Sequence, residues 1–106
     1  MIGYKKALLD DETEVIVELD ILGILEKDTI GYRTNKAKVL SIKSLNSKKL
    51  YSTCRSIFVY EFIYEVDKDI IIDDNDYNNY GEGIYFFLDK KEAIDYYRQK
   101  YKTLRY

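Results

Sequence analysis

Residues 14–22 read EVIVELDIL, and this stretch decides the fold. Its side chains separate into two sets: Val15, Val17, Leu19 and Ile21 alternate with Glu14, Ile16, Glu18, Asp20 and Leu22. A period of two sends successive side chains to opposite faces of an extended chain, so the stretch predicts a strand with one dry face. Further along, Lys36, Lys38, Leu40 and Ile42 alternate with Ala37, Val39, Ser41 and Lys43, which predicts a second strand, and Asn46-Ser47-Lys48-Lys49 reads as a turn. From Ile57 to Val66 the set Phe58, Tyr60, Phe62, Tyr64 and Val66 opposes Val59, Glu61, Ile63 and Glu65, predicting a long strand at the centre of the sheet. A short strand over Asp69 to Ile72, a polar loop from Asp73 to Gly83 and a compact apolar strand from Ile84 to Leu88 follow. Asp89 then has the form of a helix cap, with Glu92 at the third helical position, and Ala93, Ile94, Tyr97, Tyr101 and Leu104 make an apolar stripe at helical spacing. The expected architecture is α+β: a small, mostly antiparallel sheet of four to six strands packed by one C-terminal helix, in a single domain spanning residues 1–106.

Composition supports a folded chain, because 46% hydrophobic residues against 34% charged is enough apolar material to offset the entropy of ordering. Twelve of the aromatics are Tyr, four are Phe and none is Trp, a bias that suits sheets whose faces are half wet. Cys54 is the single cysteine, so no intrachain disulfide forms, and small secreted domains usually carry several; a reducing, cytoplasmic setting is expected. The opening Met1-Ile2-Gly3-Tyr4-Lys5-Lys6 lacks the apolar run of a signal peptide, and no stretch approaches the roughly 20 apolar residues of a membrane helix.

The net charge of −2 conceals a segregation along the chain. Lys27 to Arg55 holds Lys27, Arg33, Lys36, Lys38, Lys43, Lys48, Lys49 and Arg55 against Asp28 alone, whereas Glu61 to Glu82 is acidic except for Lys68. Such runs pair across adjacent strands or form a bipolar surface for a charged partner.

With no histidine in the chain, imidazole-based triads and the common zinc sites are excluded, and no Gly-rich segment has a Walker or dinucleotide-binding form. Gly81-Glu82-Gly83 precedes a strand and reads as a turn. Cys54 next to Arg55 reads as an inert, buried thiol. Asp74, Asp76 and Asn78 have the first ligand spacings of an EF-hand, yet Asn79 replaces its glycine and Tyr85 its bidentate glutamate, so no metal site is expected. No catalytic residue and no cofactor are assigned.

Two family resemblances extend this reading. Tyr80-Gly81-Glu82-Gly83-Ile84-Tyr85-Phe86, followed by Ala93 to Tyr97, resembles the strand on which ADP-ribosyltransferases present a tyrosine to the nicotinamide ring. Without the transferase's later glutamate-bearing strand, the resemblance implies a pocket that holds a nucleotide, with Tyr85 stacking. More of the chain is covered by Gly3-Tyr4-Lys5-Lys6, Val15 to Leu19, Arg33 to Leu40, Phe62 to Val66, and Gly83-Ile84-Tyr85-Phe86-Phe87 with Glu92, Ala93 and Tyr96, in that order. This series resembles an uncharacterised domain family of phages and giant viruses, often found beside pentapeptide repeats. That family typically has histidine at the place of Tyr85 and cysteine near Asn79 and Tyr80. The resemblance implies a viral or phage-like origin and a stand-alone version of a module usually attached to something else.

Three functions are therefore expected in order. The first is a non-enzymatic viral accessory module, monomeric or homodimeric, acting in the host cytoplasm. It engages a protein partner through exposed tyrosines such as Tyr32, Tyr77 and Tyr80 and through Asp74 and Asp76. The second is a nucleotide-like small-ligand binder with a concave pocket at Tyr85, lined by Arg33 or Arg55 with Tyr80 near it. The third, disfavoured by the overall acidity, is nucleic-acid binding through Lys27 to Arg55 with Tyr32 and Tyr51 stacking.

Overall fold

The computed structural model describes residues 1–59 and 61–96. Among these residues nine strands and two short helices follow in the order β1 (Ile2–Leu8), β2 (Glu14–Ile21), β3 (Glu26–Lys27), β4 (Tyr32–Thr34), β5 (Lys36–Ser44), β6 (Thr53–Arg55), β7 (Ile63–Glu65), β8 (Asp69–Ile71), α1 (Asp74–Tyr80), β9 (Ile84–Phe86) and α2 (Lys90–Asp95). They build an antiparallel six-stranded sheet of order β7-β6-β1-β2-β5-β8 and a three-stranded sheet of order β3-β4-β9. The molecule is thus the expected small α+β fold, with two sheets in place of one. The sheets are stitched where Tyr4 N–H donates to Phe87 O and Phe87 N–H donates to Tyr4 O, both at 2.8 Å.

Strand β2 is the strand its alternation predicts. Val15, Val17 and Leu19 are buried beside Ala7 of β1 and Ala37, Val39 and Ile42 of β5, and Tyr64 and Phe86 complete this core as its largest fully buried side chains. Strand β5 departs from strict alternation. Its pairing with β2 shifts between Glu18 and Leu19, which face Ser41 and Val39, so Leu40 is an extra residue in a β-bulge. The bulge flips the phase, and Ile42 joins Ala37 and Val39 in the core instead of sharing a face with Lys36 and Lys38.

Two sequence expectations need correction, and a third is met. The long central strand over residues 57–66 is not formed. Thr53–Arg55 and Ile63–Glu65 make a hairpin instead, with β7 at the sheet edge. The cause is Ser56, whose Oγ accepts from the amides of Phe58 (3.2 Å) and Val59 (3.3 Å), turning the chain before a strand can extend. The polar loop after Asp73 is largely helix α1. Asp73 Oδ1 accepts from Asn75 N–H at 2.8 Å, Asp74 and Asp76 occupy the first turn where the helix dipole favours acids, and Gly81 closes the helix in the left-handed region at φ 67°. The C-terminal helix begins at its Asp89 cap, where Oδ1 accepts from Lys91 N–H at 3.1 Å, and buries Ala93; Tyr97, Tyr101 and Leu104 lie outside the described residues. Strand β1 has no counterpart in the periodicity reading, because its inward face is Gly3, Lys5 and Ala7.

Candidate functional site

Of the residues singled out in the sequence, Tyr32, Arg33 and Tyr85 lie on the small sheet, and Tyr77 packs against it. Arg33 on β4 is the register partner of Tyr85 on β9. Just before β9, Gly83 leaves room for the arginine stem, since a Cβ there would approach Arg33 Cγ to 2.6 Å. Helix α1 brings Tyr77 across the guanidinium, whose carbon lies 3.9 Å from the ring centroid. Arg33 Nη1 donates to Tyr77 O at 3.1 Å, and Nη2 donates to Glu26 Oε2 at 2.7 Å. Tyr77 Oη donates to the same carboxylate oxygen at 2.7 Å, which closes the triangle.

The electrostatics match this geometry. Hydrogen bonds from Tyr77 and then Arg33 hold the Glu26 carboxyl below the usual carboxylate range. Burial, then the bond to Glu26, pushes the Tyr77 phenol up to about 12, so it stays a donor. The Arg33 charge is therefore matched inside the domain, and Arg33 is not an open phosphate-binding cation. Tyr77, expected on an exposed interaction surface, is 3% exposed, because it is the residue of α1 that packs on Arg33 and reaches Glu26. Tyr32 is half-buried, stacked on Phe86 at 6.0 Å with Lys27 Nζ 4.6 Å above its ring. Tyr80 is the one of these three that stands exposed. Asp74 and Asp76 lie on α1, where the helical backbone prevents them from wrapping an ion.

Tyr85 donates its hydroxyl to Gly81 O at 2.9 Å and lines a cavity of about 30 Å³ with Lys5, Phe58, Phe86 and Tyr96. That space holds a water molecule or two and is well below the roughly 300–1,000 Å³ of ligand clefts. Neither arginine is among its described lining residues, which corrects the expectation of an Arg33- or Arg55-lined pocket. Arg55 is buried in β6 opposite Leu8, whereas the Tyr85 strand meets β1 through Tyr4, about 13 Å away along β1 at the usual rise per residue. Cys54 is buried, and loss of solvation pushes its thiol up to about 12, so it is not a reactive thiolate.

The basic and acidic segments meet in part as cross-strand neighbours, with Lys38 set between Asp20 on β2 and Asp69 on β8. At that end of β5 the chain also displays apolar side chains. Leu22 and Gly23 N–H both donate to Lys36 O at 3.0 Å, Ile24 N–H donates to Asn35 Oδ1 at 2.9 Å, and Ile71 is the register partner of Lys36. Leu22, Ile24, Leu25 and Ile71, gathered there, are 44% to 67% exposed. The sequence showed little of this feature: only Leu22 and Ile71 fell in expected strands, and although the alternation put Leu22 on the face of Glu14 and Glu18, nothing brought it together with Ile24, Leu25 and Ile71.

Fold and site together define a small antiparallel α+β domain whose Arg–Tyr–Glu cluster holds two strands and a helix together. The chain belongs to the family of unknown function DUF5758, which matches residues 1–93. It is also similar to the uncharacterized protein L227 of Acanthamoeba polyphaga mimivirus, at 30% identity covering 91% of this chain and 76% of that protein. No solved structure matches. Among the described residues no helix is long and apolar enough to cross a membrane.

Proposed function

We propose that this domain is a non-enzymatic viral accessory module that docks a protein partner in the host cytoplasm, and that its apolar end is the docking surface. The observation that carries this reading is the cluster of Leu22, Ile24, Leu25 and Ile71 beside β8, the edge strand of the six-stranded sheet. Isolated exposed apolar residues are ordinary, but several gathered at an open strand edge match the surfaces that other chains cover. Similarity to a mimivirus protein supports the viral setting. The small cavity at Tyr85 and the internally paired Arg33 give the nucleotide reading no comparable support.

Affinity purification from host cells, comparing the wild type with an Ile24→Asp/Ile71→Asp variant of matched melting temperature, tests the proposal. A partner recovered with the wild type should fall about tenfold or more with the variant, the scale expected when anchor residues of a docking patch are removed. Light scattering of the purified protein separates a second copy from a different partner. Equal recovery by both proteins would sink the reading.

A further inference from the structure

At the Ser44 end of β5, opposite the apolar end, lies an open groove of about 500 Å³. Its floor is aliphatic, made of Ile16 on β2, Ile94 on α2 and Leu50 after the turn, the last 64% exposed. Lys43, Lys48 and Lys90 stand around it, and no carboxylate is among its described lining residues. The turn that carries Lys48 is held in place, because Ser44 N–H donates to Lys49 O at 3.0 Å and Tyr51 N–H to Ile42 O at 2.9 Å. None of these three lysines is in an ion pair among the described residues, although Lys6 pairs with Glu14 at 3.3 Å and Arg33 with Glu26 at 2.7 Å.

We infer that this groove receives an acidic peptide segment of a partner protein, with carboxylates on the lysines and one or two aliphatic side chains on the Leu50–Ile94 floor. The volume falls within the roughly 300–1,000 Å³ typical of ligand clefts. Three like charges set around an apolar trough repel one another, and an anionic occupant converts that repulsion into attraction and steers encounter. The chain's own segment 97–106 is not the complement, since it carries Arg98, Lys100, Lys102 and Arg105 and no acid. A single nucleic-acid strand is the less suitable polyanion: such strands rest on aromatic stacking platforms, and the described lining contains no aromatic residue. The groove and the apolar end sit at opposite ends of β5, about 23 Å apart from Lys36 to Lys43 at the usual strand rise, so this inference goes beyond the docking proposed above and stands or falls separately.

The test is selection of a displayed library of short random peptides on the full chain at low salt, followed by fluorescence anisotropy of the selected peptides. The expected peptides combine Asp or Glu with Leu, Ile or Val. Their affinity should fall about tenfold or more in Lys48→Glu/Lys90→Glu, the sum of a few exposed ion pairs, and should weaken as ionic strength rises from about 0.05 M to about 0.3 M. Leu50→Asp, at an exposed position outside the core, should weaken binding independently, whereas Ile24→Asp/Ile71→Asp should leave it unchanged. Selected peptides without an acidic bias, peptides that bind the lysine variant equally, or a single-stranded oligonucleotide that binds the groove more tightly than any peptide would each overturn the inference.

Discussion

Arg33 and Lys43 lie on consecutive strands, and the molecule treats their charges in opposite ways. The Arg33 side chain is 16% exposed, rests on an aromatic ring and meets a carboxylate and a carbonyl from two other elements. Lys43, with Lys48 and Lys90, borders an aliphatic groove with no ion-pair partner among the described residues. Where a cation is matched locally it holds the fold together, and where it is left unmatched over apolar surface it is available to something else. Stability measurements should separate the two regions.

The largest effect is expected at Tyr77. Tyr77→Ala removes the ring under Arg33 and the donor to Glu26 and should cost about 3–5 kcal/mol in urea unfolding, while Tyr77→Phe keeps the ring and should cost about 1 kcal/mol. Arg33→Ala loses the stacking and two hydrogen bonds and should cost about 1–3 kcal/mol by the same assay. A subtler signature is pH dependence. Because the Glu26 pKa is depressed in the folded state, its stabilisation is full above the unfolded-state value and fades as pH falls through the lower folded-state value. The melting-temperature advantage of wild type over Glu26→Gln should therefore shrink between about pH 6 and about pH 3. The smallest effect belongs to the groove: Lys48→Glu/Lys90→Glu should change unfolding free energy by no more than about 0.5 kcal/mol, as exposed charges usually do. A groove variant as damaging as Arg33→Ala would show that the lysines are structural after all.

Legibility in the sequence followed the range of the interactions concerned. Strand β2, the turn at residues 46–49 and the Asp89 cap depend on neighbours a few residues away, and all were readable. The bulge at Leu40 exists only relative to β2, so no inspection of β5 alone reveals it. Helix α1 was hidden by its composition: DNDYNNY is poor in helix formers and presents one buried residue, and only the Asp73 and Gly81 caps signal it. Arg33 was expected to face a ligand, whereas its internal commitment depends on Glu26, 7 residues away, and on Tyr77 O, 44 residues away. The groove draws on residues 16, 43–50 and 90–94, which no local pattern connects.

Strand β1 has a consequence for how the chain is made. Its edge toward β2 is satisfied across a short connection, but its other edge waits for Arg55 opposite Leu8 and for Phe87 opposite Tyr4. At about 5–20 residues per second on the ribosome, roughly 3–13 s separate completion of β2 from the emergence of residue 87. During that time the nascent β1–β2 hairpin carries an open edge beside Val15, Val17 and Leu19, side chains that the finished domain buries completely. Synthesis rate and chaperone supply, more than the stability of the finished domain, should then govern how much of it accumulates in the cell.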